Sequence, residues 1–200
     1  ARSETGGTGE QKKSEIKQIG VEKLRVNSKA KDKVIQALSK NKYIEYAEPN
    51  YIAKALFVPN DPYFSYQWHL HNAQYGGINI VDAWNISTGS NVIVAVIDTG
   101  VAYENYCDSP AKCYYKASDL AGTQFVQGYD FINLDNHSND DNSHGTHVAG
   151  TVAQSTNNNL GVAGVAFNVK IMPVKVLDQF GSGSYATVAD GIKYAAYNGA

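Results

Sequence analysis

The apolar positions of this chain change rhythm near residue 57. Beyond that point the first clear signal is Val92 to Ile97, where every residue is apolar and most are β-branched. That is the pattern of a parallel strand covered on both faces, not of a sheet with one wet side. Asp98-Thr99-Gly100 ends the run, and Gly128 to Ile132 and Lys170 to Leu177 read as two further strands. Around them the spacing turns helical: His144 to Gln154 and Tyr185 to Tyr197 predict full helices, and Ser65 to His69 and Asn79 to Trp84 shorter ones. Strands alternating with helices favour an α/β fold built on an open parallel sheet with right-handed crossovers.

The first part of the chain reads differently. Residues 1–13 are small, polar and charged and predict a flexible lead. Ile16, Ile19, Val21, Leu24 and Val26 then suggest extended structure. Ser28 is placed to cap a helix from Lys29 to Ser39 with Ala30, Val34, Ala37 and Leu38 on one face. Asn41 closes that helix, and Tyr43 to Tyr46 predicts a strand ended by Pro49 and Asn50. A strand-helix-strand unit of this size buries too little surface to be robust alone.

Composition and charge narrow the function. At 200 residues, with 43% hydrophobic and 18% charged positions, the chain is neither a disordered tail, a collagen nor a coiled coil. No apolar run approaches the roughly 20 residues that a membrane span requires. Ala1 to Gly9 has no leader character, so any targeting segment is expected to have been removed or to lie outside the chain. Residues 1–56 hold 12 Lys+Arg against 7 Asp+Glu, whereas residues 57–200 hold 5 against 12. The two parts carry opposite charge, a shift that marks either a boundary or two segments that attract each other. The acidic part would repel phosphate, so nucleic acid is not an expected partner. Cys107 and Cys113 form either a local disulfide, worth about 2 kcal/mol in the chain-entropy model, or a pair of reduced surface thiols. A bonded pair would point to an oxidising compartment. Neither C-x-x-C nor H-x3-H spacing supports zinc.

The chemistry begins at Asp98. A carboxylate directly after a buried strand is costly unless its charge is used, since an unpaired buried ion costs several kcal/mol. D-T-G alone could simply cap a turn. It also occurs in aspartic proteases, but those pair two such carboxylates, and this chain has one. The second constellation is Asn142-Ser143-His144-Gly145-Thr146-His147-Val148-Ala149-Gly150. Its histidines are not in H-E-x-x-H spacing, which argues against a zinc protease. His147 reads as a satisfied structural residue. His144 opens a helix, where the dipole lowers an imidazole pKa unless a carboxylate compensates. If Asp98 is that carboxylate, the two make up two thirds of a hydrolytic triad.

D-T-G followed about 45 residues later by H-G-T-H-V-A-G resembles the subtilase family of subtilisin-like serine proteases, its thermitase-type members above all. Val58-Pro59-Asn60-Asp61-Pro62-Tyr63-Phe64, Thr156-Asn157-Asn158, Val174 to Asp178 and Gly181-Ser182-Gly183 extend the likeness over Val58 to Ala200. Ile44 to Tyr51 resembles the end of the inhibitory propeptide of that family. The resemblance implies a subtilisin-like parallel sheet with flanking helices, incomplete here, at 57–200. Before it would come a partial α+β propeptide domain at 14–56. Asp98 would orient His144, and His144 would act as general base and acid. Gly181, Ser182 and Gly183 would form an edge strand for an extended peptide or protein substrate, with Leu177 and Tyr185 walling its pockets. A structural Ca2+ would be held by Asp61, Asp119 and Asn158 with carbonyls of Ser155, Leu160 and Val162. A second site would involve Asp130, Asn133 and Asp135.

The family's nucleophile lies in G-T-S-M-A, which does not occur among these residues. Ser143, Ser182 and Ser184 are poorly placed to replace it. The chain is therefore expected to be the amino-terminal piece of a secreted, extracellular protease precursor that lacks its nucleophilic serine, with no membrane partner. Its own propeptide would be an intramolecular inhibitor, and maturation would cut at Leu56-Phe57. A noncatalytic peptide-binding or inhibitory protein on the same fold is the alternative.

Overall fold

The computed structural model describes residues 14–16, 21–51, 57–71 and 73–200. The chain divides into two compact units, Ala1–Ala55 and Leu56–Ala200. The expected lead at 1–13 and the expected cut at Leu56-Phe57 fall wholly or partly outside the described residues.

In the first unit β1 (Ser14–Ile16) pairs antiparallel with β2 (Val21–Lys23). The helix predicted from Lys29 begins as a 3-10 turn over Ser28–Ala30 and continues as α1 (Lys31–Leu38). Its cap is Asn27, not Ser28: the Asn27 side chain accepts from Lys29 N at 2.9 Å. The strand expected over Tyr43 to Tyr46 is absent: Tyr43 lies in a turn, Glu45 in a bend, and Ile44 and Tyr46 are irregular. The cause is local. Asn41 accepts from Tyr43 N through its side chain and from Ile44 N through its carbonyl, and so folds the segment back before it can extend.

The second unit opens with α2 (Trp68–His71) and α3 (Ile80–Trp84), which frame a cluster of Phe64, Leu70, Ile80, Trp84 and Ala163. Then comes β3 (Ile93–Asp98). The expected cysteine loop is a hairpin, β4 (Tyr106–Ser109) and β5 (Lys112–Tyr114). Cys107 and Cys113 are cross-strand partners in it and are bonded to each other. Two short strands follow, β6 (Gln124–Phe125) and β7 (Tyr129–Asp130), the second a remnant of the strand expected over Gly128 to Ile132. The long elements complete the unit: α4 (His144–Ala153), β8 (Lys170–Lys175) and α5 (Tyr185–Tyr197).

β8 is the centre of the sheet. It pairs in parallel with β3 on one edge and with β6 and then β7 on the other. The two-residue period of the strands sorts the core into two layers. Val94, Val96 and Ile171 pack with Ala149 and Ala153 of α4. Ile93, Ala95, Ile97, Met172 and Val174 pack with Val188 and Ala195 of α5. The helices therefore cover opposite faces, which is why Ile93 to Ile97 and Ile171 to Val174 are apolar throughout. The register sets Asp98 beside Lys175, so the polar ends of β3 and β8 emerge together. Brought out at one edge, they are free to be used.

Ile171 is fully buried between β3, β6 and the α4 layer. Ile171→Ala is expected to destabilise the folded protein by about 2–5 kcal/mol, read as a lower denaturation midpoint with an unchanged slope.

Candidate active site

Asp98 ends β3 at 9% exposure, with its carboxylate turned toward the first residue of α4. His144 Nδ1 stands 2.8 Å from Oδ1 and 2.9 Å from Oδ2. Oδ1 also accepts from Thr99 N at 2.7 Å. An ionised carboxylate is acceptor-only, so Nδ1 must carry the proton, and the Nε2 lone pair is left free. The His144 side chain is 66% exposed, and none of the described serine hydroxyls hydrogen-bonds its ring. The hydrogen bond and the charge of Asp98 raise the His144 pKa above its ordinary value. This is the compensation that a histidine opening a helix requires.

Local backbone makes the approach possible. Gly100 (φ 104°) and Ser143 (φ 90°) are both left-handed, a conformation that costs a serine energy and persists only where neighbours impose it. Gly145 N donates to Thr99 Oγ1 at 3.0 Å. A Cβ at Gly145 would come 2.1 Å from Gly100 O and 3.1 Å from the Asp98 Cβ, so only glycine lets α4 start this close to β3.

Two residues that sequence reasoning passed over hold the surroundings. Asp140 accepts from Thr99 Oγ1 (2.8 Å), from Asn142 N and Ser143 N, and from both N and Oγ1 of Thr146. Burial opposes its ionisation, yet the Thr146 hydroxyl and the backbone donors outweigh it and hold the carboxyl below its ordinary pKa. Lys175 is buried with its ammonium paired to Asp141 at 2.6 Å. Asp140 sits in an N-D-D-N run that looks like loop chemistry, and its use is visible only once Thr99 and Thr146 are brought to it. His147, expected to be a satisfied structural residue, is exposed instead.

Leu177 follows the end of β8 and is half-buried. Gly181, Ser182 and Gly183 follow a turn at Gln179 and Phe180 and lie outside any strand, so they do not form the expected edge strand. The Asp178 carboxylate accepts from Phe180 N and Ser182 N, and Asp178 N donates to Ser182 O. Those donors, Ser182 foremost, lower the Asp178 pKa. The Asn142 side chain donates to Gln179 O at 3.0 Å and ties this turn to the loop before His144. Tyr185 opens α5 with its ring almost wholly exposed.

The residues expected to hold calcium converge on one loop. Asp61 and Asp119 are both buried, and among the described residues neither forms a salt bridge with a basic side chain. Asp61 accepts from Asn157 N, and Asp119 from the Asn158 amide, Gln154 Nε2 and Val162 N. The loop carbonyls alternate. Gly161 O and Ala163 O accept hydrogen bonds from Tyr63 N and Gln67 Nε2, while among the described residues no donor reaches the carbonyls of Ser155, Leu160 or Val162. Two unpaired carboxylates, an amide and three free carbonyls fit a hard cation. In the second set only Asp130 is buried, and Asn133 is exposed. Asp130 accepts from Ile132 N, Asn133 N and the Asn133 side chain, so its oxygens already close their own turn.

Residues 89–200 match the subtilase family, and residues 3–50 match the fervidolysin N-terminal prodomain. A thermophilic serine proteinase of Bacillus sp. (strain AK1) is 40% identical over 96% of this chain and 46% of its own length. Thermitase of Thermoactinomyces vulgaris is 42% identical over 72% of this chain and 46% of its own. The chain thus spans about half the length of these relatives. Other relatives are named extracellular protease (Xanthomonas campestris) and cell wall-associated protease (Bacillus subtilis). Among solved structures, a protease from Pseudoalteromonas arctica superposes with a TM-score of 0.58 at 38% identity, over 70% of this chain and 44% of that one.

Gly145→Ala tests how the dyad is held. The added methyl forces the start of α4 away from Gly100, so the His144 pKa should fall toward the ordinary value of about 6.5 when followed by NMR. Any activity that depends on the dyad should drop by roughly 10²-fold.

Proposed function

The chain belongs to the subtilase family, and from that premise we propose that the protein it specifies is a secreted serine endopeptidase made as a precursor. The observation that carries the proposal is the contact of His144 Nδ1 with both oxygens of Asp98, which leaves the opposite ring nitrogen in the open. Asp98 holds the imidazole in one tautomer and stabilises the imidazolium as it forms. His144 Nε2 takes the proton of an attacking serine hydroxyl and returns it to the leaving amine. The family's nucleophile motif, G-T-S-M-A, does not occur among these 200 residues. An extended peptide lies along Gly181, Ser182 and Gly183, which are exposed, with Leu177 and Tyr185 beside its side chains.

Residues 14–56 act as an inhibitory propeptide and 57–200 as the first part of the peptidase domain. The prodomain match over 3–50 and the opposite charges of the two parts support this division. The bonded cysteines and the names carried by the relatives support an extracellular site. Ca2+ would be held by Asp61, Asp119 and Asn158 with the carbonyls of Ser155, Leu160 and Val162. It would supply a fixed positive charge that neutralises two buried carboxylates.

In the full-length enzyme His144→Ala should abolish peptide hydrolysis, and Asp98→Asn should lower kcat by roughly 10⁴ through the wrong tautomer. Full activity in either variant would reject the reading. The base must be neutral to work, so kcat/KM should fall as pH drops through the raised His144 pKa. The acid limb then lies above that of an ordinary imidazole. The stability conferred by the His144–Asp98 pair has the opposite sign: it is complete at low pH and fades as pH rises through the same raised value.

Calcium at about 100 times its dissociation constant should stabilise the folded protein by roughly 2.7 kcal/mol. Asp119→Ala should remove that calcium dependence. A melting temperature that ignores both calcium and chelator would reject the site.

A further inference from the structure

Lys175 has a buried side chain, 1% exposed, and none of the roles above uses it. Burying an ammonium is costly unless every proton finds a partner. Here all three do, on three different segments: Thr99 O at 2.5 Å, Asp141 Oδ1 at 2.6 Å and Leu177 O at 3.0 Å. Thr99 is the residue whose N–H holds the Asp98 carboxylate. Asp141 lies in the loop that leads into His144, directly after Asp140. Leu177 opens the segment assigned to substrate.

The backbone ties the turn after Asp98 to the loop before His144, where Val101 N donates to Ser138 O, but no backbone hydrogen bond among the described residues joins that loop to β8. Val176 N and Leu177 N donate to Asp98 O, which fixes the strand ends to each other. We propose that Lys175 is a positioning residue, whose ammonium sets the spacing between Asp98, the approach to His144 and the substrate segment. Without it, Thr99 O and Leu177 O lose a buried donor and rotate to find another, and Asp141 turns to water. The sheet register, held by backbone hydrogen bonds, survives, whereas the alignment of carboxylate and imidazole does not. The inference rests on the peptidase reading for its catalytic consequence but not for its geometry.

The test uses the full-length protein with Lys175→Met and, as a milder change, Asp141→Asn. The charged groups acting on His144 are Asp98 and, more weakly, Asp140, and both substitutions leave them in place. In Lys175→Met the low-field resonance of the His144 Nδ1 proton should weaken or vanish, and the ring should titrate closer to an ordinary imidazole. The value of kcat should fall at least tenfold, with the acid limb displaced in the same direction. Asp141→Asn should show the same changes at about a third of the size. An unchanged resonance, titration and acid limb in a folded Lys175→Met protein would overturn the proposal, even if the melting temperature fell. Should Lys175→Met fail to fold, the same lack of change in Asp141→Asn would overturn it. A wild-type protein without peptidase activity would reject the peptidase reading alone, since resonance and titration still report whether Lys175 aligns the dyad.

Discussion

A negative charge at the end of a strand buried on both faces is the constraint on which the rest of the second unit is built. Buried there, the Asp98 carboxylate needs donors to converge on it, and each donor must be delivered by a different part of the chain. Thr99 N comes from the turn itself, and His144 from the start of the helix over the α4 face. That helix can reach the strand only because residue 145 lacks a side chain. Thr99 Oγ1 then serves twice, donating to Asp140 and accepting from Gly145 N, so the turn and the helix start share one hydroxyl.

The elements legible in the sequence were those whose burial is uniform. β3 stood out because both of its faces are covered, and α4 and α5 because small and apolar residues recur at helical spacing. The pairing of Asp98 with His144 was legible too, from the strand end and the helix start together with the family likeness. What escaped was decided by partners far away in sequence. β6 and β7 are two residues each and exist only because β8 offers its second edge. The hairpin around the disulfide carries polar residues on both strands and has no apolar alternation to betray it. Lys175 looks like any strand-end charge in an apolar run until Thr99, Asp141 and Leu177 surround it. Tyr43 to Tyr46 failed for the opposite reason. Its residues favour a strand, but Asn41 offers their N–H groups nearer acceptors.

α4 connects the candidate catalytic pair to the candidate cation cradle. Its first residue is His144, and the chain leaves its last residue, Ala153, directly into Gln154 and Ser155. Ten residues at about 1.5 Å each make a rod of about 15 Å. The far end of that rod is fixed by Asp119, which receives Gln154 Nε2 on its carboxylate and Ser155 N on its carbonyl. The near end is fixed by Asp140 and Thr99. A helix pinned at both ends transmits a displacement instead of absorbing it, because its packed face against Val94, Val96 and Ile171 leaves no room to bend. Loosening the loop at 155–162 therefore frees the anchor of the helix that carries the imidazole. On the proposed function, a cation at Asp61 and Asp119 would serve stability by its charge and the placement of His144 by geometry, with α4 as the part common to both.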